Sequence, residues 1–248
     1  MTLSSQLMSS NVYPWKLYPI KEEMPKDTII SQSLSSDFPE VFARLRAKSN
    51  PNSPISFSFN YKYIGIDKSS KLYVAQPMDR ETICPNNPEC LEEIEVKVFN
   101  DKDSEFITLK ILINEVNDNA PSWPRTSYEI RIREDAAKDH EVALTPATDP
   151  DYGKNSVQSY IFKLLEDDYS NMYPNKVGRP PQQTDDNPFE IKTPRSSSGY
   201  LSLSLVVKRA LDCETRKFYM AQLIAFDGGN PVKNGTTTLR IGILNISN

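Results

Sequence analysis

The chain has 248 residues, enough for two domains of ordinary size, and its 38% hydrophobic and 25% charged fractions are those of a soluble globular protein. A net charge of −4 with no concentrated Lys/Arg stripe excludes a nucleic-acid surface. No segment approaches the roughly 18 consecutive apolar residues that span a bilayer, so any membrane connection runs through a transmembrane segment outside this sequence. Residues 1–11 lack the basic start and apolar core of a secretory signal, and the chain reads as a fragment of a longer protein. The single histidine, His140, stands in a polar turn and leaves no Ser-His-Asp or Cys-His design. A carboxylate-pair glycosidase needs one acid with a raised pKa in a cleft, whereas the acids here stand beside asparagines. No catalytic residue is assigned.

In chain order, an N-terminal extension over residues 1–15 precedes Lys21-Glu22-Glu23. Ile55, Phe57, Phe59, Tyr61 and Tyr63 then alternate with smaller or polar residues, the period-two pattern of a strand buried on one face. Met78-Asp79-Arg80-Glu81-Thr82 follows, then Cys84 and Cys90 around a loop bent by Pro85 and Pro88. That bend lets the two thiols reach disulfide distance. Closing so small a ring stabilises by about 2 kcal/mol on the chain-entropy model, and it implies an oxidising compartment. Two unrelated buried thiols are the alternative. A zinc knuckle would need a second ligand pair, for which only Cys213 and His140 are available. Ile94, Val96 and Val98 and then Ile107, Leu109, Ile111 and Ile113 predict two more strands.

After the linker the alternation resumes at Tyr128, Ile130 and Ile132, with Glu129, Arg131 and Arg133 on the opposite face. It recurs at Leu201, Leu203, Leu205 and Val207 and at Leu239, Ile241 and Ile243. Nineteen prolines leave little room for long helices, and short strands with frequent turns predict antiparallel sandwiches. The chain also resembles itself. Met78-Asp79-Arg80-Glu81-Thr82 matches Leu211-Asp212-Cys213-Glu214-Thr215, and Lys21-Glu22-Glu23 matches Arg133-Glu134-Asp135. Two tandem repeats are therefore expected, at 16–116 and 122–248, joined by a linker at 117–121. The second is longer, with an exposed insertion expected at residues 166–187.

Glu115-Val116-Asn117-Asp118-Asn119, before Ala120-Pro121, crowds carboxylate and amide oxygens into a spot too polar for a core. Such ligands suit calcium, which takes six to eight hard oxygens. Separate solvated loop acids are the bland reading.

With these elements in hand, the chain resembles cadherin extracellular repeats. The matching residues are Glu22, Asp79-Arg80-Glu81, Asn117-Asp118-Asn119, Asp149-Pro150-Asp151 and Ala225-Phe226-Asp227-Gly228-Gly229. The Cys84–Cys90 loop after the Asp-Arg-Glu triplet and Asp149-Pro150-Asp151-Tyr152-Gly153-Lys154-Asn155-Ser156 are protocadherin-like. The resemblance implies the two membrane-distal repeats, an all-β pair of tandem Greek-key sandwiches. It also implies about three calcium ions (Ca2+) between them. Their ligands would be Glu22, Asp79, Glu81, Glu115, the Val116 carbonyl, Asn117, Asp118, the Asn119 carbonyl, Asp149, Asp151, the Asn155 carbonyl and Asp227. The family usually places Asp where Glu115 stands, which changes the reach at that position.

The resemblance further implies an extracellular, cell-surface ectodomain whose partner is the same protein on an apposed cell, through long antiparallel surfaces over about four repeats. Two repeats alone are then expected to be largely monomeric. A calcium-stiffened structural rod or a heterophilic receptor is the alternative. Trp15 is displaced from the position of the classical strand-exchange anchor and reads as packing or a strand-edge residue. In the second repeat, Asn245, Ser247 and Asn248 fall where Glu115, Asn117 and Asp118 stand in the first. Glu134, Asp212 and Glu214 are then expected to form a weak or absent second metal site, since charge sets calcium affinity. Asn234 and Asn245 head glycosylation sequons. Cys213, the odd cysteine, is expected as a free thiol or an intermolecular link. Specificity candidates are Glu129, Arg131 and Arg133 and residues 169–181.

Overall fold

A computed structural model of the protein describes residues 13–50, 53–85, 87–165, 187–195 and 201–246. The chain divides into two compact units, residues 1–116 and 117–248. Among the described residues no helix is long and apolar enough to cross a membrane.

The first unit runs β1 (Trp15–Lys21), β2 (Ile29–Ser31), α1 (Leu34–Asp37), α2 (Pro39–Ala47), β3 (Ser56–Ser58), β4 (Ile64–Ile66), β5 (Leu72–Val74), α3 (Arg80–Ile83), β6 (Cys90–Phe99) and β7 (Ser104–Asn114). It forms a four-stranded sheet of order β1-β7-β6-β3 and a three-stranded sheet of order β2-β5-β4. Ile94, Val96, Val98, Ile107, Leu109, Ile111 and Ile113 are all buried, as their alternation requires, and with Leu34, Leu45 and Leu72 they make one core. Pro39 opens α2, where its missing N–H costs nothing. Asp37 ties the first strands to α1: it accepts from Lys16 Nζ, from Tyr18 OH at 2.7 Å and from Ser31 Oγ at 2.5 Å.

The second unit runs β8 (Ser127–Arg133), β9 (Glu141–Leu144), a 3-10 turn (Gly153–Asn155), β10 (Val157–Leu164), β11 (Phe189–Lys192), β12 (Leu203–Val207), β13 (Phe218–Asp227) and β14 (Asn234–Leu244). Its sheets have orders β10-β13-β14-β8 and β11-β12-β9. Ile132, Leu203, Leu205, Val207, Leu223, Leu239 and Ile241 fill its core. The all-β, two-domain arrangement is the expected one.

Three details differ from the sequence expectation. The pairing is not wholly antiparallel, because β1 runs parallel to β7 and β8 parallel to β14, each opening strand lying beside the last strand of its own repeat. The alternation over residues 55–63 yields only the three-residue β3, paired at Ser56–Phe99, Phe57–Val98 and Ser58–Lys97. Beyond Ser58 the chain leaves the ladder, yet Phe59, Tyr61 and Tyr63 still pack against the core. Periodicity reports which face is buried, not which backbone partner is present. Third, β12 starts at Leu203, and Leu201 makes only an isolated bridge to Arg195. Of the expected insertion at 166–187, all but Asn187 lies outside the described residues, as do residues 169–181, Ser247 and Asn248.

Trp15 stands on the edge strand β1 with its ring exposed and Lys110 Nζ 4.8 Å from the ring centroid. Cys84 and Cys90 are joined as a disulfide, and Cys213 is a buried free thiol whose Sγ lies 3.3 Å from the Ile243 carbonyl oxygen.

Candidate metal centre

In the first unit the acids gather around one buried carboxylate. Glu22 follows β1 and is 2% exposed. Its Oε2 accepts from Arg80 N at 2.9 Å and its Oε1 from Val116 N at 2.6 Å, so it fastens the start of α3 to the end of the unit. Glu22, Glu81 and Glu115 each offer a carboxylate oxygen, and these three atoms lie within 4.8 Å of one another. Glu81 Oε1 is buried with no hydrogen-bond partner. Burial, and then the negative charges of Glu22 and Glu115, push the Glu81 carboxyl up to about 8.

Asp79 does not join that group. It caps α3, with Oδ1 accepting from Thr82 N at 2.9 Å and Oδ2 from Thr82 Oγ1 at 2.7 Å. Each oxygen retains a lone pair for another partner.

In the second unit Asp151, 3% exposed, accepts from Asn119 N at 3.2 Å and from Asn119 Nδ2 at 2.7 Å. Asn119 Nδ2 also donates to Asp118 Oδ1 at 2.8 Å. Asp151 N donates to Asp149 Oδ1 at 3.1 Å. Asp227, at the end of β13, accepts on Oδ1 from Gly229 N at 3.1 Å and Lys233 N at 2.9 Å. Asn117 Nδ2 donates to the Pro231 carbonyl at 2.7 Å. That leaves Asn117 Oδ1, Asp149 Oδ2 and Asp227 Oδ2 buried without a partner. Burial, and then the charges of Asp151 and Asp227, push the Asp149 carboxyl up to about 6. Asn155 is buried in the 3-10 turn that Gly153 enters at φ +64.

A buried oxygen left without a donor costs about 1–3 kcal/mol. Several such oxygens, all hard and mostly anionic, have the chemistry of a divalent cation site, so the residues fit calcium.

The far end of the second unit repeats the first with Cys213 in place of Arg80 and Asn245 in place of Glu115. Glu134 Oε2 accepts from Cys213 N at 3.0 Å and its Oε1 from Ile246 N at 3.0 Å, as Glu22 does from Arg80 and Val116. Glu134, Asp212 and Glu214 cluster there. Asp212 caps its own turn through Glu214 N, Thr215 N and Thr215 Oγ1. Where a residue matching Glu115 would add a further charge, Asn245 Nδ2 donates to Glu214 Oε1 at 2.7 Å, satisfying an acid with an amide. Asn234, the other sequon residue, is exposed at the start of β14.

Sequence reading missed Arg80 as part of the site. It is buried, with Nη1 at 2.8 Å from Glu115 Oε2 and Nη2 at 2.5 Å from the Asn87 carbonyl. The available signal was that the second repeat changes this position and the Glu115 position together.

Metal-free stability should depend on pH in a definite direction. An acid whose folded pKa lies above its unfolded value favours folding when protonated, and that gain vanishes above the folded pKa. Metal-free protein is therefore expected to melt higher at pH 6 than at pH 8.5, as Glu81 takes up its proton below about 8. Calcium reverses the trend, since protons compete with the metal. Thermal unfolding with chelator and with calcium at the two pH values checks both signs.

Tandem β-sandwich units that each gather a set of carboxylates are the architecture of cadherin repeats. A Cadherin domain family model matches residues 128–244. The chain is 30% identical over 268 residues to Protocadherin-20 of Mus musculus, covering 93% of this chain and 26% of that protein. It is 33% identical over 183 residues to Protocadherin-19 of Danio rerio, covering 74% of this chain and 15% of that protein. Among solved structures, Protocadherin Gamma C5 EC1-3 superposes with a TM-score of 0.73 at 25% identity, covering 92% of this chain and 65% of that one. The Protocadherin GammaB4 extracellular domain gives 0.74 at 26% identity, covering 92% and 32%. The chain belongs to the cadherin superfamily and is protocadherin-like. It spans at most about a quarter of the length of these curated relatives.

Proposed function

We propose that the chain is part of an extracellular cell-adhesion ectodomain that binds calcium, about three ions, through Glu22, Asp79, Glu81, Glu115, Val116, Asn117, Asp118, Asn119, Asp149, Asp151, Asn155 and Asp227. The observation carrying this reading is the set of buried, donorless oxygens on Glu81, Asn117, Asp149 and Asp227. The run 115–119 supplies ligands to both sets, so ions held by it tie the two units together through a chain segment of five residues. Without metal the carboxylates repel; a like pair about 4 Å apart costs roughly 4 kcal/mol at an effective dielectric near 20. Calcium removes that repulsion and makes the linker rigid.

The disulfide supports an oxidising, extracellular setting. Protocadherin relatives support recognition of the same protein on an apposed cell, with the membrane reached through another part of the full protein. At the end of the second unit, the amide of Asn245 supports a weak site on Glu134, Asp212 and Glu214.

Beads bearing the full ectodomain are expected to aggregate with their own kind in millimolar calcium and to disperse in chelator. Calcium binding without aggregation would instead favour a stiffened rod or heterophilic receptor. No calcium uptake by the chain would end the reading altogether.

A further inference from the structure

Arg80 is 3% exposed, an uncommon place for a guanidinium. One side of its fork forms an ion pair with Glu115, Nη1 lying 2.8 Å from Oε2, and the same nitrogen lies 3.9 Å from Glu81 Oε1. The other is anchored on the disulfide loop, at 2.5 Å from the Asn87 carbonyl and 3.5 Å from the Pro88 carbonyl. The backbone of the same residue is fixed as well, with its N–H on Glu22 and its carbonyl accepting from Cys84 N at 2.7 Å. The guanidinium is thus held in place from behind, while the carboxylate before it is one of three that converge.

The second repeat provides an internal comparison. There the backbone bond to Glu134 is kept, but the residue making it is Cys213, a buried free cysteine with no guanidinium to offer. The residue matching Glu115 is Asn245, whose amide donates to Glu214. Where the extra carboxylate is absent, the guanidinium is absent too. The cation and the acid belong together.

We propose that Arg80 is a built-in counter-cation that competes with calcium for Glu115. It neutralises that carboxylate when no metal is bound, cedes it on binding, and so sets the affinity of the first unit's acid set below what its carboxylates alone would give. The inference rests on the calcium reading above. Two cations drawing on one carboxylate oppose each other, and the opposition is reciprocal: whatever Arg80 adds to the metal-free state it takes from calcium affinity. Because the disulfide loop anchors the guanidinium, the ion pair must open when the metal takes Glu115.

Calorimetric titration of the full chain with calcium chloride tests this on the wild type, R80Q and R80K. R80Q removes the competitor and is expected to bind tighter by a factor between about five and 150, while its first unit melts lower in chelator. R80K keeps the charge and is expected to stay near the wild type. Unchanged or weaker binding by R80Q, with normal wild-type binding, overturns the counter-cation role and leaves the calcium reading intact. No binding by the wild type overturns the calcium reading instead. Should R80Q not fold without metal, nitrogen NMR of the wild-type arginine side chain decides. Its signals are expected to shift and exchange faster with solvent at saturating calcium, and an Arg80–Glu115 pair unchanged by calcium sinks the proposal.

Discussion

Replacing Glu22 by alanine should destabilise the first unit and weaken calcium binding, whereas replacing Glu134 should do only the first in the second unit. Each carboxylate closes its own repeat by accepting two backbone N–H groups, from Arg80 and Val116 in one case and from Cys213 and Ile246 in the other. Hydrogen bonds to a charged group contribute about 1.5–3 kcal/mol each, so losing two costs roughly 2–4 kcal/mol once relief of repulsion among neighbouring acids is allowed for. The two sites then diverge. Glu22 stands with Glu81 and Glu115, a set that a metal would bridge. Glu134 stands beside Glu214, which already takes a hydrogen bond from Asn245. E22A is therefore expected to weaken calcium binding by about 1.4 kcal/mol or more, a factor of ten, and E134A to leave it near the wild-type value. Hydrogen exchange read separately on β6–β7 and β13–β14 reports the stability of each unit, and a calcium titration reports the metal. Equal calcium losses in both variants would show that the ends of the two repeats are functionally alike.

A second large effect is expected at Gly235, on β14. A Cβ there would lie 1.8 Å from the Pro121 carbonyl oxygen and 2.7 Å from its carbon, a clash with backbone that no rotamer relieves. The neighbouring chain is not free to retreat. Ser122 and Thr148 exchange backbone hydrogen bonds of 2.7 and 2.9 Å, and Trp123 Nε1 donates to the Gly235 carbonyl at 3.1 Å. G235A should thus cost about 1–3 kcal/mol, the usual range for overpacking, or more because backbone must move. It should also disturb residues 117–119, which lead directly into that segment, and lower calcium affinity with them. Gly242 on the same strand is the control: its added Cβ meets Arg131 Cγ and the Ile130 carbonyl oxygen at 3.7 Å, ordinary contact. G242A should melt close to the wild type. Chemical denaturation of both variants, with and without calcium, gives the comparison, and equal stabilities would mean that the 121–123 segment yields easily.

Much of this was legible in the sequence because it was written locally. Alternating Ile107, Leu109, Ile111 and Ile113 marks a half-buried strand whatever lies beside it, since successive side chains face opposite sides. The acids were legible for a related reason. A run such as Glu115 to Asn119 has too many hard oxygens for a core and too few hydrophobic neighbours for a strand. The repeat was visible because Asp79 and Asp212 cap the same kind of turn, each holding the threonine three residues on.

Pairing partners were not legible. Nothing in β1 announces that it runs parallel to β7, 93 residues away in register, and the period at 55–63 ran on after its ladder had ended. The role of Arg80 was hidden for the same reason. An arginine in a motif reads as surface, and only the folded chain sets Glu115 before it and the Asn87 carbonyl behind it. Asp79 shows the opposite limit: the chain order sets it among the acids, yet its carboxylate is turned to Thr82.

By itself the sequence determined the alternating stretches and their buried faces, the two repeats and the inventory of calcium-type oxygens, because each depends on residue type and spacing along a few neighbouring positions. The tertiary structure alone decided which oxygens share a site, which are capped, and which one meets a buried guanidinium. Those outcomes depend on distances between residues far apart in the chain, and such distances exist only once the sheets have closed.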